Sequence, residues 1–208
     1  YSDPAGIRAI SHATVNNRLY HGNGLIDRSS GDSRLWLFGG YGKHQYSGDF
    51  YTFDVQEDVW KKVKFHGGEQ IFPRFFSGMG EVSAGRYYLF GGFGNHSGFQ
   101  NDGADYLYDL FEVNFADSTV KAVGQFDIPG IDFVPAPNLV VENGGKAFYT
   151  FCYDHNKARP QGALYRFDVV DMSCTCVSDT LGLVSEKIES KLALWYDEEY
   201  RRLILAVH

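Results

Sequence analysis

The chain has little cysteine, little proline, no long hydrophobic run and no sizeable basic cluster. Its three cysteines, Cys152, Cys174 and Cys176, are an odd and sparse set, so a disulfide framework is excluded. Cys174 and Cys176 stand two apart, which on a strand points both to one face. A zinc site needs further ligands, and no second Cys or His pair lies nearby, so they read as small core residues. No stretch of about 18 apolar residues exists, which excludes a helical membrane span. The formal charge is −7, and the densest basic cluster is Lys61-Lys62-Val63-Lys64. A nucleic-acid binder draws most of its affinity from a basic face that is missing here. Convincing helical periodicity is missing too. The best candidate, residues 184–194, is short and runs straight into Ala193-Leu194-Trp195-Tyr196. The chain begins at Tyr1 with no leader and reads as a mature or trimmed form, which leaves secretion open.

Aromatic residues fill the space that helix formers leave. Tyr and Phe number 14 and 17 in 208 residues, and both favour strands. Alternating and all-apolar runs bounded by Gly, Asp, Asn and Ser recur throughout, which predicts an all-β protein. Two of these runs form a repeat. Leu35-Trp36-Leu37-Phe38 ends in Gly39-Gly40 and continues as Tyr41-Gly42. Tyr87-Tyr88-Leu89-Phe90 ends in Gly91-Gly92 and continues as Phe93-Gly94, 52 residues later. A strand-rich unit recurring at about 40–50 residues is how a propeller blade is written in sequence.

The first unit spans residues 18–65, with strands at 18–26, 34–40, 49–55 and 59–65. A second covers 74–126 and a third 136–178. A fourth begins at 191–208 and supplies two strands, and residues 1–17 are a candidate for completing it. In the third unit Cys152-Tyr153 replaces the double glycine, which predicts a less tight bend. Two glycines at a strand end allow a sharp turn and the close approach of a neighbouring sheet. Trp60, on the outermost strand of the first unit, is expected to cover the adjoining sheet.

These elements resemble the kelch family of β-propellers. The resemblance rests on Leu37-Phe38-Gly39-Gly40-Tyr41-Gly42, Asp49-Phe50-Tyr51-Thr52-Phe53-Asp54 and Trp60, repeated as Leu89-Phe90-Gly91-Gly92-Phe93-Gly94 and Leu110-Phe111-Glu112-Val113. It is strong over residues 18–126 and weaker over 136–208. It implies a single kelch-type segment of three complete four-stranded blades plus a partial blade, part of a larger propeller. Kelch-like proteins often bind peptides or other ligands through one loop face, so the resemblance implies a binding module for a protein, peptide or carbohydrate.

On that face the reading places loops 42–48, 94–105 and 154–161, since function concentrates on loops held by rigid scaffolds. Tyr41, His44, Tyr46, Phe93, His96, Tyr153, His155 and Arg159 are the expected ligand contacts. His44 and His96 each follow their double glycine by four residues, and His155 opens the third loop. Three imidazoles from successive units could therefore converge, or each could cap its own loop. Arg74, Arg159 and Lys43 could grip a carboxylate. Asn95, Asn101, Asp102 and Asp105 carry calcium-type oxygens in a spacing that fits no EF-hand and is ordinary for turns. No catalytic residue, metal or cofactor is assigned.

The rival reading is an enzyme of galactose-oxidase or sugar-processing type, since galactose oxidase is similar at the level of the blade. Its copper and Tyr–Cys signature finds only Cys152-Tyr153 here, and neighbours on a strand point to opposite faces. The Glu-x-x-x-Asp-x-x-x-His motif of plant specifier proteins is absent. An extracytoplasmic setting is the expectation by analogy with aromatic-rich, cysteine-poor propellers.

Overall fold

Runs of aromatic and β-branched residues, broken by glycine and by Asp/Asn turns, settle into antiparallel sheets in the computed structural model. The structure describes residues 20–207 apart from Ser30, Asp32, Pro129, Ile131, Ala158 and 184–191. The expected first strand over 18–19, completion of the fourth sheet by 1–17, and most of the helix candidate at 184–194 lie outside these residues. Within that candidate, Leu192 onward is strand.

The first sheet comprises β1 (Asn23–Asp27), β2 (Arg34–Phe38), β3 (Phe50–Asp54) and β4 (Val59–Val63) in sequential order. The second repeats this layout with an interrupted first strand. β5 (Arg74–Phe75) and β6 (Gly78–Ser83) both pair with β7 (Arg86–Gly94), followed by β8 (Asp105–Asn114) and β9 (Thr119–Gln125). The third is interrupted twice. β10 (Val134–Pro135) and β11 (Val140–Val141) flank one edge of β12 (Ala147–Tyr153). β13 (Gln161–Asp168) then pairs with both β14 (Ser173–Cys176) and β15 (Leu181–Gly182). A hairpin of β16 (Leu192–Asp197) and β17 (Arg202–Val207) follows. Among the described residues no helix is long and apolar enough to cross a membrane.

The expected strand at 75–82 is thus broken at Phe76, whose φ of 56° lies in the left-handed region. His21 adopts nearly the same angle, 53°, at the matching register position. Tyr20 bridges Tyr41 just as Phe75 pairs with Phe93, so His21 and Phe76 occupy one site of the repeat. The double glycines face these kinks with repeated angles: φ 67° and 99° at Gly39-Gly40, 63° and 113° at Gly91-Gly92. A Cβ on Gly39 would meet the Arg74 carbonyl of the next sheet at 2.7 Å, and one on Gly92 the Phe75 carbonyl at 2.7 Å. In the third sheet β12 runs through Cys152 and Tyr153 without a positive φ, and both side chains are buried.

Apolar side chains are buried between successive sheets. Trp36 and Phe50 of the first pack with Phe111 and Phe115 of the second, and Phe90 and Leu110 of the second with Phe148 and Phe167 of the third. Val134 and Tyr153 pack with Leu192 of the hairpin. The tryptophan sealed between the first two sheets is Trp36, its ring 4.5 Å from Phe115. Trp60 is half-buried and lies 5.3 Å from Phe53, its cross-strand partner in its own sheet.

The first strands of the three sheets meet one another. The buried Asn23 amide donates to the Ser77 carbonyl of the second sheet at 2.8 Å and to the Pro137 carbonyl of the third at 2.9 Å. Met79 N–H donates to the same Pro137 carbonyl at 2.9 Å, and Leu139 N–H donates to the Met79 carbonyl at 2.9 Å. A neutral side chain that satisfies two carbonyls in a dry place holds three sheets in one register.

Candidate functional site

The bends at the double glycines carry the β2–β3 and β7–β8 loops, which brace each other, and the β12–β13 loop follows Cys152-Tyr153. Tyr46 N–H donates to Gly98 O at 2.7 Å, Gln100 N–H to His44 O at 3.2 Å, and Gln100 Nε2 to Gly42 O at 2.9 Å. Asn95 fastens its own loop. Its Oδ1 accepts from Gly98 N–H at 2.7 Å, and its amide nitrogen donates to the carbonyls of Phe99 and Gly103. Of the four residues that the sequence offered to calcium, Asn95 thus has its oxygen engaged by the loop backbone.

Between these loops and the kinks lies a cleft of about 410 Å³. The first sheet and its flank contribute His21, Tyr41 and Tyr46, the second Phe75, Phe76, Phe93 and Gln100, and the third-sheet loop His155 and Asn156. Phe75 sits at the centre of the rings, with centroids 4.9 Å from Tyr41 and Phe76, 5.4 Å from Tyr46 and 5.7 Å from Phe93. A second cavity of about 390 Å³ borders it, sharing His21 and Phe76 and reaching Asn23, Pro135, Tyr153 and Leu192.

His155 is the most constrained polar group of the cleft. It is 8% exposed, its ring lies 4.8 Å from Phe93 and 5.1 Å from Phe76, and its Nδ1 is buried without a hydrogen-bond partner. Burial pushes its pKa down to about 4, aided by His21 and opposed by the Asp154 carboxylate. The ring is therefore neutral at pH 7. Burial likewise raises the phenol pKa of Tyr46, Tyr106 and Tyr153 above the ordinary value.

Of the eight expected contacts, Tyr41, Tyr46, Phe93 and His155 line the cleft, and Tyr153 lines the neighbouring cavity. His44, His96 and Arg159 are exposed and outside the lining of both. His96 turns edge-on to Phe72 at 5.0 Å. The three imidazoles suggested by the repeat do not share this cleft; His21 joins His155 instead. Arg74 does grip a carboxylate, but an internal one, Asp109. Among the described residues no group of three or more His, Cys, Asp or Glu is placed to hold a metal, and the three cysteines are free thiols.

Sequence reasoning missed His21, Phe75, Phe76, Gln100 and Asn156. A signal for three of them was present. Aligning the units on their double glycines sets Tyr20-His21 against Phe75-Phe76, four rings in two equivalent pairs. Gln100 and Asn156 have no repeat counterpart that marks them. No protein-family model matches the chain, and no curated protein is significantly similar to it.

Proposed function

We propose that the chain is a segment of a kelch-type propeller whose loop face is a non-catalytic recognition site for a protein, peptide or carbohydrate. In this reading it is the sensing or docking part of a larger protein. The sheets described above are its blades. Support for the radial arrangement comes from the cores between successive sheets and from the Asn23 amide, which ties the first strands of three sheets together.

One observation carries the recognition reading: three sheets contribute aromatic and amide side chains to a single cleft beside braced loops. Rigid rings offer contact area at low entropic cost, and convergent polar groups give direction. Such a cleft forms only when the sheets are assembled, which suits a site that reads a ligand rather than one that stabilises a single sheet.

Alanine at Tyr46 tests the reading. Ligand capture by the Tyr46→Ala protein should fall about tenfold or more, with the melting temperature nearly unchanged. His96→Ala and Arg159→Ala, outside the cleft lining, should bind as the parent does. Equal losses in all three would place the contact surface elsewhere.

A further inference from the structure

The cleft is aromatic and polar, and none of its described lining side chains is Lys, Arg, Asp or Glu. Its two histidines are the only other candidates for charge, and buried His155 is neutral at pH 7. A ligand whose recognition depends on an ionised group finds no fixed opposite charge here.

The polar groups have a direction. Gln100 donates Nε2 to the Gly42 carbonyl at 2.9 Å. A carbonyl can only accept, so the amide orientation is fixed and Oε1 is the end left for a ligand. Asn156 donates from Nδ2 to the Tyr106 hydroxyl at 2.9 Å, a partner that can itself donate or accept. At Gln100 the rim therefore asks for a hydrogen-bond donor, while the tyrosine hydroxyls of the lining can donate or accept.

The rings also have a shape. Around Phe75, neighbouring centroids are 4.9–5.7 Å apart and the ring planes are inclined to Phe75 by 29–82°, so the rings pack on each other as a faceted apolar wall. A cage for a quaternary ammonium needs rings standing apart, with the cation within about 6 Å of each face. A proline-rich peptide, another common occupant of aromatic grooves, lacks N–H groups at proline and offers carbonyls. Its carbonyls would leave Gln100 Oε1 without a donor.

Resting on the recognition reading above, we propose that this cleft binds an uncharged sugar, a pyranose seated against the aromatic rings with a hydroxyl donating to Gln100 Oε1. A pyranose combines one flat C–H face with a rim of O–H donors and carries no charge. Its C–H face suits the electron-rich faces of the rings. The cleft, about 410 Å³, lies near the small end of ligand clefts and holds a mono- or disaccharide better than a folded partner's loop. Uronic and sialic acids lack a cation to meet their carboxylates, so neutral sugars are selected over them.

Saturation-transfer NMR on the whole chain tests this with methyl glycosides of glucose, galactose, mannose and xylose, their disaccharides, methyl glucuronide and decaproline. At least one neutral glycoside should receive saturation at its ring protons, and methyl glucuronide should not. Gln100→Ala should weaken that binding about tenfold, the worth of one hydrogen bond to a ligand hydroxyl. Tyr46→Leu should weaken it further by removing a ring; if that variant fails to fold, Gln100→Ala alone decides. Sugar binding undiminished by Gln100→Ala, or equal binding of the glucuronide, overturns the proposal. Decaproline bound in the cleft with every sugar silent overturns it too, yet leaves the recognition reading standing. Silence of every probe overturns the sugar proposal and leaves the recognition reading to the Tyr46→Ala test above.

Discussion

Asp109 clasps the guanidinium of Arg74, a side chain with no exposed surface, through both terminal nitrogens, Nη2 lying 2.9 Å from Oδ2. Arg74 Nε donates to Phe72 O at 2.8 Å and Nη1 to Gly91 O at 3.2 Å. Its backbone carbonyl meanwhile accepts from Gly40 N–H at 2.8 Å, and its N–H donates to Ser47 O at 2.9 Å. One arginine thus ties the bend of the first sheet to the bend of the second. The planar fork of Arg suits this task, where Lys would offer a single point charge.

Removing Asp109 should be costly because it strands a dry guanidinium. Asp109→Ala is expected to lose about 3 kcal/mol in urea unfolding. The double variant Arg74→Met, Asp109→Leu should cost less than the sum of the two single changes, since no uncompensated charge remains. Strict additivity would show that the pair is not coupled.

The double glycines should resist any side chain. Gly39→Ala and Gly92→Ala combine a positive φ with a Cβ 2.7 Å from a carbonyl oxygen of a facing strand. Each is expected to cost more than about 2 kcal/mol. Gly144, φ 88°, has nothing within 4 Å of the added Cβ, so Gly144→Ala should cost only the conformational part, about 1 kcal/mol. Equal losses at the three sites would remove the argument for close approach of the facing strands.

Trp36 and Trp60 should behave differently despite their shared residue type. Trp36, 3% exposed and packed on Phe115, is expected to cost about 3–5 kcal/mol as alanine. Its Nε1 has no hydrogen-bond partner, so Trp36→Phe forfeits packing volume and no bond. That change should recover most of the loss. Trp60→Ala, at a half-buried site on an outer strand, should cost clearly less than Trp36→Ala. Thermal unfolding of the three variants ranks them.

His155 gives the fold an acid-side weakness. Its pKa is about 4 in the folded state against 6.5 unperturbed, so between these values the unfolded chain binds the extra proton. Its contribution is fully present above about pH 6.5 and is lost as pH falls toward 4. Groups facing the ring are the Asp154 carboxylate, which favours its protonation, His21, which opposes it, and the Tyr106 phenol. The His155 Cε1–H signal should titrate with a midpoint near 4, and His155→Gln should flatten the fall in stability over this range. A midpoint above 6 would refute the dry environment.

Much of this architecture is legible along the chain. The β2 and β7 runs end at glycine pairs that recur in register, and the predicted strands of the first three units fall within a few residues of the observed ones. Strand periodicity and turn chemistry act over a handful of residues, so one sequence displays them. The interruptions at Phe76 and before Val140 were not legible. A left-handed φ at a bulky aromatic is held by surrounding packing and leaves no local signature.

The candidate site divides along the same line. Tyr41, Tyr46, Phe93 and His155 stand close to the repeated glycines or open a loop, and their proximity to one another follows from the repeat. His44 and His96 follow the glycines just as regularly, yet lie outside the cleft, because loop bracing through Gly98 and Gln100 sets where their side chains go. Arg74 looked like a free cation and is an internal tie.

By itself the sequence determined the β class, the repeat and the places where only glycine fits, because each depends on backbone freedom and side-chain alternation between near neighbours. The tertiary structure alone decided that His21 joins His155, that Arg74 is spent on Asp109, and that Gln100 presents an acceptor. Those outcomes depend on which sheets meet face to face, a matter of burial and hydrogen-bond satisfaction between residues up to 134 positions apart in the chain.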